Sequence, residues 1–197
     1  QDNNKFAVGR YDGSIEVYDT KNIELDSKYQ TEDNESILSM AFNHEGNRLA
    51  VGNLSGNVEL YDLQQLRKYQ TLKGHRNFVI DIDFSQDDKR LLTTGHDDQV
   101  FLWDSDTGRK IMKVFELPDE DFILASGFTD DQRSIFSVTS DEQILFAEAF
   151  PWKKDELPGN PELNSLTERL ELYKRQKYSD EKLSVDVIAE PIAWTTE

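Results

Sequence analysis

The chain has 197 residues, 22 of them Lys or Arg and 39 Asp or Glu, for a net charge of −17. Such a balance repels phosphate backbones and anionic membranes at long range, which argues against both as partners; the lack of Cys excludes disulfides, thiolate metal sites and a cysteine nucleophile. Apolar residues make up 37% and aromatic ones 11%, enough for a core, and no apolar run reaches the roughly 18 residues of a membrane span.

The chain opens Gln1-Asp2-Asn3-Asn4-Lys5, polar and without Met, which fits a processed chain or part of a longer one. Residues 6–19 then read as an apolar strand, a polar turn and an alternating strand closed by Tyr18-Asp19. The same pattern returns over residues 49–62, closed by Tyr61-Asp62, and 91–104, closed by Trp103-Asp104. A weaker copy, residues 135–148, ends on Ala147-Glu148. The closing acids are spaced by 43, 42 and 44 residues, the mark of a structural repeat. Ahead of three copies, residues 37–42, 79–84 and 123–128 read as first strands, each followed by a polar turn rich in Asp, Asn or Gly. Residues 68–72 and 110–115 supply fourth strands. The unit is a four-stranded antiparallel meander of about 43 residues, which cannot bury both faces alone; stacking such sheets around an axis buries them.

These residues resemble the WD-repeat β-propeller family, over residues 5 to 150. Unit three carries the signature best, with Gly74-His75 before its first strand and Trp103-Asp104 closing its third. The resemblance implies an all-β fold, a partial propeller of about three and a half four-stranded blades. It also implies a hydrogen-bonded network of His75, Thr93, Asp97 and Trp103, with Thr94 as the neighbouring alternative to Thr93. Unit one keeps a turn acid at Asp12, unit four one at Asp141, and unit two has Ser55 there, so the full network is expected in one blade only. The family closes rings with more blades than this, and an open half-ring exposes the faces of its end blades. Closure then falls to the rest of a longer propeller or to a second copy.

After Phe150 the repeat stops, dividing the chain into a propeller part, 1–150, and an appended part, 151–197. Asn160 reads as an N-cap with Pro161 behind it, opening an α-helix to about residue 176. Leu163, Leu166, Leu170 and Tyr173 form its apolar stripe, which packs on the propeller or docks on a partner. Residues 184–188 alternate like a short strand, and 191–197 form a tail.

His75 reads as structural and His44 as solvated. Asp97-Asp98 and Asp130-Asp131 sit in tight turns, where Asp serves the backbone. With three His and no Cys, no metal site, cofactor or catalytic constellation emerges. The resemblance places partner proteins or peptides on the loop face. There it implicates Arg10, Tyr11 and Leu54, and then Asn77, Phe78, His96 and Phe122. The apolar and aromatic members act as anchors or tuck into the axial channel. The expectation is a non-enzymatic interaction scaffold; the alternative is the regulatory propeller of a larger enzyme. Absence of Cys and of a targeting segment points to the cytoplasm.

Overall fold

The computed structural model describes residues 5–117, 122–129 and 134–148. The first sheet holds β1 (Lys5–Gly9), β2 (Ser14–Asp19) and β3 (Leu25–Gln30); a 3-10 turn, Glu32–Asn34, leads out of it. The second holds β4 (Ile37–Phe42), β5 (Arg48–Asn53), β6 (Asn57–Asp62) and β7 (Arg67–Lys73). In the third are β8 (Val79–Phe84), β9 (Arg90–Gly95), β10 (Gln99–Asp104) and β11 (Lys110–Glu116). The fourth holds β12 (Ile123–Phe128), β13 (Ser134–Thr139) and β14 (Ile144–Glu148). All four are antiparallel meanders in which strands pair in chain order.

The alternation within each strand splits the core. Leu49, Val51 and Tyr61 face back to Ile15 and Val17 of the first sheet, while Ala50, Val58, Leu60 and Leu72 face forward to Leu91, Phe101 and Trp103. Leu92, Val100 and Leu102 then face forward to Phe128 and Ile135. Each of these three clusters fills one junction between consecutive sheets, so the period-two pattern alone decides which neighbour a side chain meets.

The hairpin turns recur with the same geometry. Gly13, Gly56, Asp98 and Glu142 occupy one repeat position and all have positive φ: 77°, 84°, 59° and 67°. Glycine takes that conformation freely; Asp and Glu hold it here because the surrounding pairs fix the turn. A second recurrence is a β-bulge in the first strand of the three units that show one, with Leu38, Ile80 and Leu124 as the extra residues.

Three sequence expectations are amended or left aside. The first unit has an outer strand, β3, which sequence reasoning passed over. Its residues Leu25-Asp26-Ser27-Lys28-Tyr29-Gln30 are mostly exposed, so they carry little apolar periodicity. His44 is not merely solvated: its N–H donates to Asp88 Oδ1 at 2.7 Å and its Nδ1 lies 3.3 Å from the same oxygen. The expected C-terminal helix over 161–176, the strand-like 184–188, the tail and Asp130-Asp131 lie outside the described residues.

Candidate protein-binding face

The third sheet is locked by a chain of directed hydrogen bonds. Trp103 Nε1 donates to Thr93 Oγ1 at 2.9 Å, and Thr93 Oγ1 lies 2.8 Å from His75 Nε2. On the other side of the ring, His75 Nδ1 stands 2.9 Å from Asp97 Oδ1, while the Arg76 N–H donates to Asp97 Oδ2 at 2.7 Å. Burial pushes the Asp97 carboxyl up, but the bonds from His75 and Arg76 outweigh it and hold the group below the usual carboxylate range. An ionised Asp97 places a proton on Nδ1; in the neutral imidazole Nε2 then accepts from the Thr93 hydroxyl, which in turn accepts from the indole. The side-chain polar atoms of Trp103, Thr93, His75 and Asp97 are all bonded, and the loop carrying His75 is tied to the turn carrying Asp97. Thr94, the neighbouring alternative, is buried but has no bond in this set.

The first two sheets solve the same problem with different residues, which sequence reasoning missed. Tyr61 Oη donates to the buried Glu59 Oε2 at 2.5 Å, and the Glu32 N–H donates to Glu59 Oε1 at 2.9 Å. Burial and the adjacent Glu59 carboxylate push the Tyr61 hydroxyl well up. In the first sheet Tyr18 Oη donates to Glu16 Oε2 at 2.8 Å, with Arg10 and Lys28 on the same carboxylate at 2.5 and 2.7 Å. A signal existed: Glu16-Val17-Tyr18-Asp19 and Glu59-Leu60-Tyr61-Asp62 share Glu two residues before Tyr.

Arg10, Lys28 and Tyr18 hold the Glu16 carboxyl at about 2. A carboxyl depressed by folding stabilises the fold above its unfolded range, and that contribution is lost as pH falls from about 4.5 toward about 2. Melting temperature followed against pH should therefore drop through this window, and Glu16→Gln should flatten the drop.

At one end of the sheets, inner hairpin tips meet the segments that enter the first strands. The Leu54 N–H donates to the Ser36 carbonyl at 2.9 Å, His96 N–H to Phe78 O at 2.8 Å, and Ser140 N–H to Phe122 O at 2.8 Å. The same bond thus repeats at three equivalent positions. It fixes the tips through the backbone, and at the third of them Ser140 Oγ also accepts from the Phe122 N–H at 2.9 Å. The His96 ring stacks obliquely on Phe78, centroids 4.5 Å apart, and on Phe122, 5.1 Å apart. These three rings form a continuous aromatic ledge bridging the third and fourth sheets. Phe122 is 42% exposed.

The other expected face residues are not drawn into the ledge. Tyr11, 80% exposed, and Leu54 occupy the tip positions of the first and second sheets. Arg10 is occupied by Glu16, and Asn77 Oδ1 accepts from the Phe78 N–H at 2.9 Å, a local cap just ahead of the ledge. The bulged Leu38 and Leu124, two residues after Ser36 and Phe122, add exposed aliphatic surface beside the tips. Among the described residues no three His, Asp or Glu side chains gather as a metal site, and no helix is long and apolar enough to cross a membrane.

Residues 1–127 match the family described as Nucleolar protein 10-like, N-terminal domain, a β-propeller. The chain belongs to this family. The match to the Nucleolar protein 10-like domain spans the first three sheets and most of β12, and so includes the His75 network and the whole aromatic ledge. No curated protein matches the chain. The family's description is nucleolar and lends no support to the cytoplasmic address expected from sequence.

Proposed function

We propose that this chain is a non-enzymatic interaction scaffold that seats partner proteins on the loop face, centred on Phe78, His96 and Phe122. The observation that carries the reading is the ledge: three stacked aromatic rings on tips held by backbone bonds, half-buried at Phe78 and His96 and 42% exposed at Phe122. Rigid tips lose little entropy on binding, and clustered aromatics are the residue types that dominate interface energies. Arg10, Tyr11, Leu54 and Asn77 extend the surface around it. The charge of −17 favours basic or neutral partner segments and association rates that fall with salt. Propeller blades over 1–150 and an appended segment over 151–197 complete the proposed organisation, with the family description supporting a nucleolar setting.

The test is capture of partners from nuclear extract on the wild-type chain and on Phe78→Ala/His96→Ala. Loss of a hot-spot pair costs about 2 kcal/mol or more, roughly a thirtyfold loss of affinity, so the specific partners should disappear from the variant. Unchanged recovery by a variant with a wild-type circular dichroism spectrum would refute the loop face.

A further inference from the structure

The turns that join the third strand of a sheet to its outer strand repeat one backbone. Asp19 Oδ1 accepts from the Lys21 N–H at 2.7 Å, Asp62 Oδ1 from the Gln64 and Gln65 N–H groups at 2.9 and 2.8 Å, and Asp104 Oδ1 from the Thr107 N–H at 2.8 Å. Four residues after each Asp the backbone is left-handed: Ile23, Leu66 and Gly108 have φ of 57°, 52° and 69°. Glycine takes that conformation freely, whereas a leucine and, above all, a β-branched isoleucine are strained in it. The closing Asp already holds the turn, so neither aliphatic side chain is needed to make it.

Nor do they serve the core. Ile23 is 71% and Leu66 61% exposed, and neither belongs to any of the three clusters. Leu66 stands on the second sheet, which packs against the first on one side and the third on the other, so its exposure persists with both neighbouring sheets in place. In the third sheet the position is closed instead: a Cβ on Gly108 would stand 2.4 Å from Gln70 of the second sheet. Backbone strain kept at two adjacent tips, with no return in the turn or the core, points to a contact made by another part of a molecule.

The course of the chain says which part. β14 runs from the Ser140 tip, at the ledge end, to Glu148, the equivalent of Asp62 and Asp104, so the chain leaves the fourth sheet at the end that carries Ile23 and Leu66. Residues 149–197 follow, with Leu163, Leu166, Leu170 and Tyr173 at helical spacing. The second sheet is two junctions back; packed sheets lie about 10 Å apart, whereas residues 149–162 span roughly 45 Å when extended. We propose that the apolar stripe of residues 163–173 docks on Leu66 and Ile23 of its own chain, clasping the first two sheets at the end opposite the ledge. The contact does not depend on the loop-face reading, since none of its residues lies on the ledge.

The chain has no Cys, so an introduced pair reports alone. Leu66→Cys is combined in turn with Leu163→Cys, Leu166→Cys and Leu170→Cys in the full chain; in the controls Leu54→Cys, at the ledge end, takes the place of Leu66→Cys. Leu66 and Leu54 lie 100 and 112 residues before Leu166, so loop closure alone would link them at nearly equal rates. Under mild oxidation at least one Leu66 pair should form its disulfide within the chain tenfold or more faster than its control, and urea should abolish the difference. Hydrogen exchange over residues 161–176 should quicken at least tenfold in Ile23→Asp/Leu66→Asp with a wild-type circular dichroism spectrum. Equal linkage rates, linkage between two chains, or exchange unchanged by the double substitution would each overturn the proposal. Phe78→Ala/His96→Ala should leave the linkage as it is.

Discussion

Trp103→Ala should lower the unfolding free energy by about 3–5 kcal/mol, the range for removing a buried large aromatic. Trp103 is 3% exposed and packs in the cluster between the second and third sheets. Its loss also strips Thr93 Oγ1 of the indole donor. Two companions separate the contributions. Trp103→Phe keeps most of the apolar contact and should recover the greater part of the loss. Thr93→Val keeps the shape but leaves both the indole N–H and His75 Nε2 without a partner, at a cost of about 1–3 kcal/mol for each orphaned group. Urea titrations of the three variants check that Trp103→Ala and Thr93→Val each cost more than Trp103→Phe. If Thr93→Val is neutral, the network contributes packing only.

The repeat was legible because its cause is local. Turn acids, the alternating strands and the aromatic-Asp closures each act within a few residues, so residues 49–62 and 91–104 announce themselves. What the alternation could not show is where a polar residue at an inward position finds partners. Glu59 looks like a misplaced surface acid until Tyr61 and the Glu32 N–H, 27 residues away, are seen on its two oxygens. The bulges at Leu38, Ile80 and Leu124 were hidden for a related reason. A one-residue slip keeps the apolar composition of a strand while changing which side chain leaves the sheet. The ledge was visible only as separate residues: Phe78 and Phe122 precede different sheets, and His96 lies between them only because the tip bonds repeat. The outer strand β3 was lost because its side chains serve water, and water imposes no period.

Gly95→Ala should be nearly as damaging as loss of the tryptophan, and its cost should depend on His75. A Cβ on Gly95 would stand 2.3 Å from Asp97 Oδ1 and 2.3 Å from His75 Nδ1, inside the hydrogen-bonded pair. Neither neighbour is a loose chain end: the imidazole is held at Nε2 by Thr93, and the carboxylate also takes the Arg76 N–H. The alanine must push the pair apart or shift β9. Overpacking of this kind costs about 1–3 kcal/mol, with the broken His75–Asp97 bond added to it. In a His75→Ala background one of the two collisions is gone and that bond is already lost, so adding Gly95→Ala should cost much less than it does alone. A double-mutant cycle measured by urea titration should therefore show strong coupling, well above the few tenths of a kcal/mol expected of independent sites. Strict additivity would mean that Gly95 is required by the strand backbone and not by the imidazole and carboxylate beside it. The network would then be a passenger of the hairpin, where the geometry makes it the clamp that holds the loop of His75 and the turn of His96 in register beneath the aromatic ledge.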